Sequence, residues 1–150
     1  MEKAANIATV LQAIIVAVSV LFIWLQLRSQ TKLAKVANTQ ALVEISSPFN
    51  LELIKNPDMA ALWVNGSGDY EKFNDVRKYQ YRSLLIWWLI FHENIFFQKQ
   101  KRLLDETIYT CWDHDLQCFV KEQHLELRWE DLKSGFQDGF VKHVEELFEK

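Results

Sequence analysis

From Ala4 to Leu27 the chain carries no charged side chain. No other feature of the sequence limits the fold as strongly. A helix rises about 1.5 Å per residue, so this stretch reaches about 36 Å, enough for a hydrocarbon core of about 30 Å. Its centre, Ala13 to Val18, is apolar without a break, and Leu21-Phe22-Ile23-Trp24-Leu25 continues it. Trp24 falls where interfacial aromatics lie, and Arg28, Lys32 and Lys35 follow at headgroup level as interfacial anchors. A cleaved signal peptide fits poorly. Glu2 and Lys3 make a weak basic leader, and no small-x-small cleavage site follows the apolar run. A buried helix of a soluble protein seldom runs this far without a charge. Residues 4–27 are therefore expected to be a transmembrane helix of an integral, single-pass protein.

Charge sets the expected orientation. Arg28, Lys32 and Lys35 follow the span with no acid among them, whereas Glu2 and Lys3 before it cancel. The positive-inside rule then puts the N-terminus outside and the C-terminal part in the cytoplasm of a cell with an inner membrane. The same basic juxtamembrane segment suits contact with anionic lipid. Cys111 and Cys118 would lie in a reducing compartment as free thiols.

The span has two sides. Ala5, Thr9, Ala13 and Ala17 recur every fourth residue, and Gln12, Ser19 and Gln26 every seventh. Both sets fall within one half of a helical wheel. Ile7, Val10, Leu11, Ile14, Val18, Leu21, Phe22 and Leu25 fill the other half. Small residues let helix backbones approach, and Gln or Ser bonds across such a contact, whereas lipid gains nothing from Gln12. The pattern predicts a packing face for a transmembrane protein partner or a second copy of the chain.

Residues 28–47 contain no Gly or Pro and are expected to continue as a juxtamembrane helix. Leu33, Val36, Gln40 and Val43 form a short stripe of coiled-coil spacing, which would meet a partner or lie back on its own domain. Ser46-Ser47-Pro48 should end the helix, because a residue preceding proline is pushed out of the helical region. Residues 50–150 read as a small cytoplasmic helical domain, making the whole chain all-α. Asn56-Pro57-Asp58 is a helix start that Gly66-Ser67-Gly68 should close. Asn74-Asp75 opens a helix running to about Lys101, with Leu84 to Phe91 as its apolar centre. Eight apolar residues are too few to span a bilayer, so that helix should be the buried one. Its Trp87 or Trp88, with Phe91, Trp112 and Phe119, should make the core. A second reading lays Trp87 and Trp88 on a membrane surface or a partner. Asp105 should cap a helix carrying Ile108, Trp112, Leu116 and Phe119, with a break at His124 to Arg128. Trp129, Leu132 and Phe136, then Phe140, Val144, Leu147 and Phe148, make two further stripes.

Chemistry is hard to find in this pattern. Gly66, Gly68, Gly135 and Gly139 build no phosphate-cradling loop, and His92-Glu93 lacks the second histidine of a zincin. Cys111, His114 and Cys118 share a helix face, but the two cysteine Cα atoms would stand about 10 Å apart. That strains a shared metal and excludes a disulfide, so packing is the preferred role. Glu93 and Asn94 on a central helix need polar partners, for which Arg82 and Tyr109 are candidates. Glu93 and Asp105 have no spacing that favours acid–base work. No catalytic residue, cofactor or metal is expected. Residues 103–150 hold 5 basic and 12 acidic side chains within an overall charge of −3, which argues against nucleic-acid binding.

The layout resembles a group of uncharacterised bacterial single-pass membrane proteins with a small all-helical cytoplasmic domain. The residues that carry the likeness are Asn56-Pro57-Asp58 with Leu62-Trp63, and His92 through Gln98. Leu103-Leu104-Asp105-Glu106, Trp112, Trp129, Phe136 and Phe140 complete it. The resemblance implies a bacterial inner-membrane setting and attaches no activity to any residue. Two functions remain. The first is a non-enzymatic accessory or scaffolding subunit of an inner-membrane complex. The alternative is a membrane-tethered sensor or regulator whose helical domain binds a small ligand or a cytosolic protein.

Overall fold

The computed structural model describes residues 11–149 in full and residues 2–10 by their helical backbone. Among the described residues the fold is all-helical, with six α-helices: α1 (Glu2–Lys55), α2 (Pro57–Asp69), α3 (Asp75–Gln100), α4 (Glu106–Glu122), α5 (Trp129–Leu132) and α6 (Asp138–Phe148). The chain divides into two compact units, residues 1–37 and 38–150, with the boundary inside α1.

The first unit is helix alone. From Leu11 to Leu27 every side chain is exposed, and none of its most apolar 18-residue window is buried. By length and composition this is the one helix among the described residues able to cross a membrane. Two of its hydroxyls are satisfied within the helix. Ser19 Oγ donates to the Ile15 carbonyl at 2.8 Å and Thr31 Oγ1 to that of Leu27 at 2.9 Å. Such back-bonding is how a helix carries hydroxyls through an apolar medium.

The second unit is a bundle around α3. Eight of that helix's residues are buried: Tyr81, Leu84, Leu85, Trp88, Leu89, Phe91, His92 and Ile95. Burial on so many sides follows from a run that is apolar almost all round, with α1, α2, α4 and α6 supplying cover. The neighbours are set in place by their caps. Asn56 accepts from the amides of Asp58 and Met59, Asn74 from Arg77, and Asp105 from Thr107. After α4, His124 adopts a left-handed backbone with φ 46° and turns the chain into a 3-10 turn and the short α5. On α6, Phe140, Val144 and Leu147 are buried at helical spacing.

Three features depart from the sequence reading. The helix expected to stop at Ser46-Ser47-Pro48 runs on to Lys55. Pro48 removes one backbone donor, but Leu42 and Ser46 are buried on the bundle, and Phe49 stacks on Trp87 with centroids 4.5 Å apart. Packing therefore outweighs the local preference of the residue before proline. The second departure is in α2, which passes through Gly66 and Gly68 to Asp69. Gly66 is buried beneath the Tyr81 ring, so it is needed for close approach and does not act as a stop. The third is Trp112, which is half-buried at the rim of the core where full burial was expected.

Candidate functional site

Two places in the molecule have the makings of a site, one in each unit. In the first, the polar and small residues singled out for packing all lie open. Gln12, Ala13, Ala17, Ser19 and Gln26 are exposed, while Ala5 and Thr9 lie outside the fully described residues. Trp24 is exposed, and the Arg28 guanidinium sits 5.6 Å from its ring centroid. That pairing suits an interface where an aromatic and a cation share the headgroup layer. Lys32 is exposed and Lys35 half-exposed.

In the second unit, the last turns of α1 meet α2, α3 and α4 around a groove of about 440 Å³. Phe49, Trp63, Trp88, Trp112 and Phe119 form its walls. The rings brace one another. Trp63 stacks on Phe119 at 5.6 Å, and Phe49 meets Trp63 edge-on at 5.1 Å. Asp115 and Glu122 on α4 give the groove two carboxylates, Asn50 an amide and Cys118 a thiol. These four polar groups come from two helices, and none of the residues lining the groove is a lysine or an arginine.

A buried histidine stands behind Asp115. His92 Nε2 lies 3.1 Å from Asp115 Oδ2, and the His92 side chain is 1% exposed against 45% for Asp115. Burial pushes His92 below the ordinary histidine range, against the opposing pull of the Asp115 hydrogen bond and charge. The ring is therefore neutral near pH 7 and donates to the carboxylate without cancelling its charge. A second pair lies nearby, with His143 Nε2 and Asp113 Oδ1 at 2.6 Å and Tyr109 donating to the same oxygen at 3.2 Å. Burial and the Asp113 charge both push the Tyr109 hydroxyl upward, so it stays a donor.

A smaller cavity of about 180 Å³ is lined by Tyr70, Tyr81, Arg82 and Arg128 among others. The Arg128 guanidinium sits 4.2 Å from the Tyr70 centroid and donates to the Ser67 carbonyl at 3.2 Å. Tyr81 donates to Gln123 at 2.8 Å, and burial holds its hydroxyl up at about 12, against the pull of Arg128. This corner reads as a structural network that ties α2, α3 and the 3-10 turn after α4 together.

Several expected pairings are corrected here. Glu93 accepts from the Gln137 amide, and Asn94 bonds Gln98. Arg82 turns away to the Asp131 carbonyl, and Tyr109 to Asp113. The surface reading of the tryptophan pair fails for Trp88, which is 7% exposed, and leaves Trp87 half-buried on Phe49 and Phe91. Cys111 is exposed, which corrects its packing role, and Cys118 is half-buried with Sγ 3.8 Å from His114 Nε2. The groove itself escaped the sequence reading, since its residues come from four helices. Comparison with known proteins gives no matching family model, no matching curated protein and no matching solved structure.

Proposed function

We propose that this protein is a non-enzymatic accessory or scaffolding subunit of a bacterial inner-membrane complex, held there by one helix that packs on partner helices. The observation that carries the reading is the state of the span. None of its most apolar window is buried, yet Gln12, Ala13, Ala17, Ser19 and Gln26 share one side of it. An exposed apolar helix is covered by lipid, and lipid alone gives no reason to gather small and amide side chains on one side. Arg28, Lys32 and Lys35 support an N-out, C-in orientation with the bundle in the cytoplasm. The exposed stripe of Leu33, Val36 and Val43 offers further apolar surface just beyond the span.

The test is purification of the tagged full chain in a mild detergent from its native membrane, with mass spectrometry of what accompanies it. A stoichiometric set of membrane subunits, or a defined homo-oligomer through the span, supports the reading. A lone monomer contradicts it.

The groove favours a second reading, a membrane-tethered regulator whose bundle binds a small ligand. Its volume falls in the range of roughly 300–1,000 Å³ common to such sites, and its walls are aromatic with a few convergent polar groups.

A further inference from the structure

We propose that the groove between the end of α1, α2, α3 and α4 binds a small organic cation, an alkylated ammonium. The inference rests on the second reading above and gives its ligand a chemistry.

Three features point the same way, the third taking in the two rim charges of the second. The first is the wall. Aromatic rings carry negative potential on their faces, and a cation within about 6 Å of a ring centroid is attracted by it, most strongly at tryptophan. Three of the protein's six tryptophans line this one groove, Trp63 and Trp112 half-buried and therefore open to a ligand, and Trp88 contributing only the 7% of its surface that is exposed. Their apolar bodies also suit the methyl or methylene groups around an alkylated nitrogen, a shape that a small hydrated metal ion lacks.

The second feature is the charge at the rim. Asp115 and Glu122 lie seven residues, about two turns, apart on α4, both facing the groove. Glu122 has no ion-pair partner among the described residues, and Asp115 has only His92. His92 fixes the carboxylate by a hydrogen bond and, being neutral, leaves its charge in place. Two uncompensated negative charges therefore stand beside the aromatic wall, with no cationic side chain lining the space between them.

The third feature is the surrounding field. Residues 103–150, which include α4, α5 and α6, carry 12 acidic and 5 basic side chains. An anionic ligand would meet repulsion on approach and at the rim, and a neutral one would leave both carboxylates without use. A cation gains from all three features together.

The experiment is calorimetric titration of the full chain in maltoside micelles, with empty micelles as the blank. The probes are choline and its neutral carbon isostere, 3,3-dimethylbutan-1-ol. Choline should bind saturably at one site, and the isostere about tenfold more weakly. Glu122→Gln should weaken choline severalfold and leave the isostere unchanged, since the residue is exposed and acts through its charge. Asp115→Asn should weaken choline likewise, and an unchanged thermal midpoint for Glu122→Gln keeps the result readable if Asp115→Asn disturbs His92. Equal binding of the two probes, or choline binding indifferent to Glu122→Gln, overturns the cationic ligand and leaves the small-ligand reading standing. Absence of saturable binding by both probes overturns the two together.

Discussion

Two stretches of this chain are apolar almost all round, and they end in opposite situations. Leu11 to Leu27 is exposed along its whole length. Leu84 to Phe91 has Leu84, Leu85, Trp88, Leu89 and Phe91 buried, with only Ile90 exposed among its eight residues. The difference is length and aromatic content. The shorter run is closed by Arg82, His92 and Glu93, and four aromatic-bearing helices around it supply cover. The longer run has no charged residue to turn it back to water and no cover in its own unit. One run is covered by the chain itself, while the other stays uncovered and is long and apolar enough to cross a bilayer.

That contrast breaks most visibly if charge is placed in each run. Val16→Arg with Val20→Arg should cost roughly 5–7 kcal/mol of insertion, at about 2.5–3.5 kcal/mol per arginine near a helix centre. The full chain should then leave the alkali-washed membrane pellet. Leu85→Arg should leave the chain in the pellet and abolish the cooperative unfolding of the bundle.

Cavity formation comes next in size. Leu85 is 1% exposed, and Leu85→Ala should lower bundle stability by about 2–5 kcal/mol. The matched change Leu21→Ala in the exposed run should leave bundle unfolding in urea where it was. Equal effects of the two would erase the distinction between the runs.

Much of the bundle was legible in the sequence because its signals are local. Asn56, Asn74 and Asp105 cap the helices they precede, and the spacing of Phe140, Val144 and Leu147 foretells the buried side of α6. What escaped was settled by distant contacts. Nothing local says that Leu42, Ser46 and Phe49 will hold α1 helical through Pro48, or that Gly66 lies under Tyr81. The groove escaped for the same reason. Phe49, Trp63, Trp88 and Trp112 are far apart in sequence, and His92 meets Asp115 across 23 residues. The only hint was the number of tryptophans outside the span, which a core alone would also explain.

The two glycines of α2 sharpen this point with a smaller effect. Gly66→Ala should destabilise by about 1–3 kcal/mol, because its Cβ would overlap the buried Tyr81 ring. Gly68→Ala has open space and a helical backbone, so it should stabilise by about 0.5–1 kcal/mol. Opposite signs in urea midpoints are expected, and the same sign for both would show that Gly66 serves only as a helix breaker.

The smallest expected effect is a pH dependence. His92 has a folded value below its unfolded 6.5, so below that pH the unfolded chain binds the extra proton first. Its contribution to stability is full above pH 6.5 and declines as pH falls through the folded value. The urea midpoint should drop between pH 7.5 and 5.5, and His92→Gln should flatten that part of the drop. A variant with an unchanged slope would show that His92 binds its proton equally well in the folded and unfolded chain.

The proposed packing side of the span is open to the most direct test. Ala13→Leu with Ala17→Leu adds bulk on the proposed contact, and Val10→Leu with Val18→Leu enlarges the opposite side by one methylene at each position. Gln12→Leu takes away the amide of the proposed contact, and an interhelical polar bond in a bilayer is worth about 0.6–2 kcal/mol. The yield of crosslinked partner in native membranes is the quantity to measure, with equal membrane insertion of every variant as the control. The alanine pair should lose most of the partner, Gln12→Leu should lose part of it, and the valine pair should match the unaltered chain. Equal yield from all four proteins would mean that the small and polar side faces lipid, and the subunit reading would fall.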